Sequence, residues 1–111
     1  MSTLIEKLVL IVGASHVLTA PEDQTKYVRD WPGVKTGQAQ AVVRPSNTEE
    51  VSKIIQLAYE TGTSVVPQSG NTGVAGGSIP DQSGEAILLS LERMNTIRDI
   101  SQPAQTIVVE A

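Results

Sequence analysis

The sequence predicts an α+β fold that opens on a βαβ unit. Three observations carry this: a short apolar run from Ala41 to Val43 closed by Pro45, an amphipathic helix that begins at Asn47 or Thr48 and stops at Gly62, and a second apolar run, Val65-Val66-Pro67. Strand, helix and strand in that order require parallel strands joined by a right-handed crossover. The 111 residues suit one domain, since a typical domain takes roughly 100 to 200.

Composition narrows the class. Lys and Arg number 8 and Asp and Glu 12, a formal net charge of −4, and no basic run reverses it. Phosphate-dominated binding of nucleic acid by Lys and Arg is therefore excluded as an expectation. The chain has no cysteine, which removes a disulfide scaffold, a thiolate zinc site and a cysteine nucleophile. With no Phe, and with Trp31, Tyr27 and Tyr59 as the aromatic set, the core must be built from Val, Ile and Leu.

Taken in order, the first element is a helix. Thr3 and Glu6 have the spacing of a capping box, and Leu4, Leu8, Ile11 and Val12 recur at helical intervals. The apolar stretch Leu8 to Ala14 lacks the basic n-region of a secretion signal and falls far short of the ~20 residues of a membrane span. No membrane span and a cytoplasmic location are the expectations. Residues Thr19 to Gly37 read as loop with one short turn of helix around Asp23 to Arg29, because Pro21, Pro32 and Gly33 interrupt any period. Residues 1–40 are thus a helix with its lead-in loop, and residues 41–111 form the next unit.

The strand at Ala41 to Val43 ends before Pro45, which lacks a ladder donor. In the helix that follows, Glu49 and Glu50 sit against the positive end of the dipole, and Val51, Ile54, Ile55 and Ala58 share a face. Gly62 takes the position after the last turn where a left-handed residue is favoured. After the strand at Val65 to Pro67, residues 68–84 contain Gly70, Gly73, Gly76, Gly77 and Gly84, with no Lys or Arg between Lys53 and Arg93. Ile87 to Leu89 read as a strand, Leu91 to Ile97 as a turn and Thr106 to Val109 as a last strand with an open edge, a place for homo-oligomer pairing.

A glycine-rich segment loses much conformational entropy on folding, so it implies a use: positive φ in tight turns, or close approach of a ligand to the main chain. Two familiar phosphate motifs fail. The P-loop requires a lysine that this segment lacks, and the dinucleotide fingerprint requires a helix to start inside glycines that here run 70, 73, 76, 77 and are followed by Pro80. An anion nest of consecutive N–H groups and a ligand-free structural loop both remain open on spacing alone.

The string Val65-Val66-Pro67-Gln68-Ser69-Gly70-Asn71-Thr72-Gly73-Val74-Ala75-Gly76-Gly77, followed by Leu89 to Asn95 and by Thr106 to Ala111, resembles the FAD-linked oxidases of the vanillyl-alcohol oxidase type. Val17-Leu18-Thr19, Pro21-Glu22-Asp23, Asp30-Trp31 and Val43-Arg44-Pro45 agree upstream. Within that superfamily the chain looks most similar to the D-lactate, glycolate-oxidase subunit and D-2-hydroxyglutarate dehydrogenase branch. The resemblance implies the N-terminal portion of a PCMH-type FAD-binding domain, incomplete, with its substrate domain and catalytic residues beyond Ala111. It implies non-covalent FAD, with Pro67, Gln68, Ser69, Gly70, Asn71, Thr72, Gly73, Gly76, Gly77 and Ser78 around the pyrophosphate. Backbone amides of Ser69 to Gly73 and the side chains of Asn71, Thr72 and Ser78 would be the donors. The implied reaction is oxidation of a small D-2-hydroxy acid to its 2-oxo acid. No catalytic and no metal-binding residue is assigned within the chain. A stand-alone βαβ module pairing through Thr106 to Val109 is the alternative.

Other residues receive plainer roles. Trp31, beside Pro32, is expected to anchor its loop in apolar surroundings. His16 is expected at the surface, and Arg93, Arg98, Glu92 and Asp99 in a solvated charge patch.

Overall fold

The computed structural model describes residues 3–111. Helix α1 (Thr3–Val12) is followed by a turn of 3-10 helix (Ala14–His16) and strand β1 (Val17–Leu18). Helix α2 (Pro21–Gln24), β2 (Ala41–Val43), α3 (Thr48–Thr61), β3 (Val65–Gln68), β4 (Ile87–Ser90), β5 (Ile97–Ser101) and β6 (Thr106–Val109) complete the order. Thr3 belongs to α1 itself, so any cap for that helix falls outside the described residues.

Four strands form one sheet in the order β1-β2-β4-β3. The strands of the expected βαβ unit are parallel, but they are not neighbours: β4 lies between them, with Val42 and Val66 both in register with Leu88. The reason is burial. All four residues of β4 are buried, and such a strand needs partners on both edges and cover on both faces. Pro67 is tolerated because β3 is an edge strand. On the other edge β1 pairs antiparallel with β2.

The alternation of strand residues divides the core in two. Ala41, Val43, Ile87 and Leu89 face α1 and α3, packing with Leu8, Val12, Ile54 and Leu57. Val42 and Leu88 face the opposite way, against Tyr27 of the lead-in segment. Helix α3 starts as its sequence dictates. The Asn47 side-chain oxygen accepts from the Glu50 N–H at 2.9 Å, while the Glu50 carboxylate accepts from the Ser46 N–H at 2.7 Å. Gly62 ends it with φ 67°. Its buried face differs in one place from the sequence reading: Leu57 is buried, whereas Ile55 points outward.

The C-terminal part also departs from expectation. The turn after β4 closes at Thr96, and Ile97 opens a strand, β5, that pairs antiparallel with β6. Thr106 to Val109 is thus one arm of a separate two-stranded hairpin, already paired on one side, rather than the open edge of the main sheet. Among the described residues, no helix is long and apolar enough to cross a membrane.

Candidate functional site

The glycine-rich segment leaves the sheet at the C-terminal end of β3, the end at which open α/β sheets present ligands. Gln68 fixes its origin. The side chain is buried, and its amide donates to the Tyr27 carbonyl at 2.7 Å and the Ser78 carbonyl at 3.1 Å, tying the start of the loop to its end and to the lead-in segment. Its own carbonyl accepts from the Leu91 N–H at 2.8 Å.

Asn71 makes the second tie. It adopts φ 54°, a left-handed conformation that Asn tolerates better than other side-chain-bearing residues. Its amide nitrogen donates to the carbonyls of Lys26 at 3.2 Å and Arg29 at 2.8 Å, and its side-chain oxygen accepts from the Ser78 hydroxyl at 3.3 Å. In this geometry the side chains of Asn71 and Ser78 brace the loop, and their main-chain N–H groups stay free.

Those free groups are the main feature. Among the described residues, no main-chain N–H from Ser69 to Ser78 donates to a protein acceptor; the next one, of Ile79, donates to the Gly76 carbonyl at 3.2 Å. Pro67, Ser69, Gly70, Thr72, Gly73 and Gly77 are exposed, and Gly76 is buried. A run of unpaired donors on a loop held at Gln68 and Asn71 has the form of an anion nest.

The glycines say what approaches them. A Cβ built on Gly70, Gly73 or Gly77 meets no protein atom within 4 Å, and none of the three has the positive φ that a side chain resists. Neither internal packing nor backbone conformation therefore requires glycine there. Exposed glycines with open space in place of a side chain, in a run of unpaired N–H groups, leave the main chain accessible to a diphosphate, and in that respect the loop fits a pyrophosphate. Gly76 is different: its φ is 80° and the Lys35 side chain crowds it.

The fold also supplies what the loop's own sequence lacks. A cleft of about 510 Å³ is lined by the first part of the loop and by the lead-in segment, which contribute Ser69, Gly70 and Asn71 and Lys26, Arg29 and Trp31 respectively. The absence of cations between Lys53 and Arg93 is thus a local property: Lys26 and Arg29, some forty positions upstream, line the same cleft, where Asp30 and Glu92 balance them and Lys26 lies 3.9 Å from the Glu92 carboxylate. Glu92, expected in a solvated patch, lies in this cleft too. Burial opposes its ionisation, yet the Tyr27 and Ser90 hydroxyls and the charges of Lys26 and Arg44 outweigh that and hold its carboxyl below the usual range. The rest of the expected patch is dispersed: Arg93 donates to the Arg44 carbonyl at 2.7 Å, and Arg98 pairs with Glu110 at 3.0 Å.

His16 is half-buried rather than free at the surface, with Nδ1 3.2 Å from an Arg44 amino group. Burial and the nearby charges of Arg93 and Arg44 lower its pKa. Trp31 does not anchor its loop; it is 70% exposed. Among the described residues, no group of three or more His, Asp or Glu is placed to hold a metal ion.

The fold and this loop define a flavin-nucleotide-binding class of protein. The chain belongs to the FAD binding domain family, whose model matches residues 39–111. It is 36% identical over 92 residues to D-2-hydroxyglutarate–pyruvate transhydrogenase of Saccharomyces cerevisiae, covering 83% of this chain and 18% of that protein. It is also 36% identical over 100 residues to D-2-hydroxyglutarate dehydrogenase of Xanthomonas citri, covering 90% and 21%. The chain therefore spans about a fifth of the length of the curated relatives it matches. Among solved structures it is similar to p-cresol methylhydroxylase, with a TM-score of 0.73, 24% identity and coverage of 88% of this chain and 19% of that one. The 4-ethylphenol oxidase of Gulosibacter chungangensis gives a TM-score of 0.76 at 25% identity, covering 90% and 20%.

Proposed function

We propose that this chain is the FAD-cradling segment of a flavin-dependent dehydrogenase that oxidises a small D-2-hydroxy acid to its 2-oxo acid. The observation that carries the reading is the unpaired run of N–H groups from Ser69 to Ser78 beside glycines whose missing side chains leave open space. The pyrophosphate-binding set comprises Pro67, Gln68, Ser69, Gly70, Asn71, Thr72, Gly73, Gly76, Gly77 and Ser78. Main-chain donors act on the ligand, while Gln68 and Asn71 hold the loop in place. Lys26 and Arg29, both exposed, add positive charge at the rim that solvent screens and Glu92, 3.9 Å from Lys26, partly offsets, so the main-chain donors carry the larger share. Residues 1–40 supply the helix and the lead-in wall, and residues 41–111 the first subdomain of the FAD-binding domain.

Bound FAD supplies the two-electron acceptor for the two hydrogens that leave the hydroxy acid. This chain's part is to bind and orient that cofactor, as proteins do for chemistry that belongs to the cofactor. The relatives named for D-2-hydroxyglutarate support the substrate class, and the loop without a histidine or cysteine supports a non-covalent link. The reading extends to a cytoplasmic location and to a homo-oligomer formed at the outer edges of the β5–β6 hairpin. Fractionation and sedimentation velocity test these two points.

The cofactor reading is tested by mixing the chain with FAD, removing free ligand by gel filtration and measuring retained flavin absorbance. One flavin per chain is the expected result. No retained flavin, either by the folded chain or by the protein that carries the remaining domains, contradicts it. Substrate class is tested with the protein that carries the remaining domains, by reduction of a dye acceptor with D-lactate or D-2-hydroxyglutarate against their L-enantiomers.

A further inference from the structure

Trp31 is the only tryptophan in a chain that has just three aromatic residues, yet it is 70% exposed. Its exposure is not that of a slack loop. The Asp30 N–H donates to the Lys35 carbonyl at 3.0 Å, and the Gly33 N–H donates to the Asp30 carbonyl at 3.0 Å. The Asp30 carboxylate, itself buried, accepts from the N–H groups of Val34 at 2.8 Å and Lys35 at 2.9 Å. Gly33 completes the turn with φ 74°, and Arg29 bridges Thr36 across its base.

A buried aspartate thus holds a tight turn whose tip residue is a large, outward aromatic ring. The same turn is fastened to the glycine loop by the Asn71 amide, which donates to the carbonyls of Lys26 and Arg29. Trp31 therefore stands on the wall of the cleft at a distance from Ser69 and Gly70 fixed by hydrogen bonds rather than by chance. Exposed indole surface is unfavourable in water, and its placement beside a diphosphate cradle matches a ligand in which a planar heteroaromatic ring is joined to a diphosphate.

Resting on the cofactor reading above, we infer that Trp31 is a stacking platform for one ring system of the flavin nucleotide. The Asp30 turn holds the indole where that ring falls once the diphosphate lies on the loop. Both ends of FAD carry such a ring, adenine on one side and isoalloxazine on the other, and the chemistry of stacking is common to them.

The test is calorimetric titration of the chain, and of its Trp31→Leu and Trp31→Phe forms, with FAD, ADP and FMN. Because the indole is exposed, the variants are expected to melt with the wild type. Loss of one base–aromatic stack weakens nucleotide binding by about five- to a hundredfold, so Trp31→Leu should lose that much FAD affinity. Trp31→Phe, which keeps an aromatic face, should retain most of it, a rescue that a merely space-filling role would not show. Loss confined to ADP assigns adenine, and loss confined to FMN assigns isoalloxazine. If wild type and Trp31→Leu bind FAD equally well, the stacking role is overturned and the loop reading stands. If neither the folded wild-type chain nor the protein that carries the remaining domains binds FAD, the loop reading is overturned and the stacking role with it.

Discussion

Gly73 separates the two reasons for which a protein keeps glycine, and its replacement by Ala or Val is the sharpest perturbation of the loop. At Gly73 a Cβ meets no protein atom within 4 Å and the backbone is outside the left-handed region. Folding stability should therefore hold or rise, by about 0.4–1 kcal/mol for Ala, because the unfolded chain loses freedom. Binding should respond in the opposite sense. With the diphosphate on the proposed cradle, a side chain at Gly73 would displace it from its donors, and each charge-assisted bond lost is worth about 1.5–3 kcal/mol, or roughly ten- to a hundredfold in affinity. Gly13→Ala is the control: its Cβ also meets open space, but φ is 91°, so stability should fall by about 1 kcal/mol while FAD affinity is unchanged. Gly37→Ala, whose Cβ would overlap the Pro80 carbonyl, should disrupt the fold itself. Urea unfolding followed by circular dichroism gives the stabilities, and calorimetry gives the affinities. Gly73→Val that binds FAD as tightly as wild type would refute the close approach of a diphosphate to this backbone.

Three further perturbations address the supports and the helix start. Asn71→Ala removes donors to two carbonyls and places a residue at φ 54°, and should cost about 2 kcal/mol; Asn71→Gly keeps the backbone and should cost about half that, and trypsin should cut both variants faster after Lys26 and Arg29. Gln68→Leu leaves the carbonyls of Tyr27 and Ser78 without their buried donor, for a loss of about 2–4 kcal/mol in urea unfolding, whereas an unchanged midpoint would show the tie to be dispensable. The Glu50 carboxyl is held below its ordinary 4.5, first by the Ser46 N–H. Its contribution to stability is therefore complete above 4.5 and disappears as pH falls through the lower folded value. Glu50→Gln should flatten the acid limb of stability against pH, and identical limbs in the two proteins would contradict the assignment.

What the sequence made legible was local. Asn47, Glu50 and Gly62 announce both ends of α3, because a side-chain oxygen, an acidic residue in the first turn and a left-handed glycine act within a few residues of where they stand. The runs at 41–43, 65–67 and 87–89 are strands for the same reason. Their order across the sheet was not legible, since the central place of β4 follows from covering both of its faces and no local period encodes that. Strand β5 is not legible in the sequence because Ile-Arg-Asp-Ile-Ser follows no alternation; its pairing with β6 carries a register shift between Ile97 and Asp99.

The site divides in the same way. The glycine pattern marked the loop that is proposed as the cradle, but spacing could not say which glycines stand in open space and which serve a turn; Gly73 and Gly76 look alike in sequence and differ in φ and in crowding. Lys26, Arg29 and Trp31 lie about forty residues before the loop, and long-range contacts, the hydrogen bonds of Asn71 and Gln68 and the packing of Tyr27 on Val42 and Leu88, bring that segment against it. A signal was present all the same. Asp30-Trp31-Pro32-Gly33 is the composition of a tight turn, and a tryptophan at the tip of a turn has little of its own segment to bury against.

In the proposed function, main-chain N–H groups after β3 grip the diphosphate. Amide chemical shifts of the isotope-labelled chain, titrated with FAD, test it residue by residue. Saturable shifts concentrated at Gly70 to Gly73 and Gly76 to Ser78, in the direction of new hydrogen bonds, are the predicted result; saturable binding that leaves those amides unmoved and perturbs another surface would contradict it.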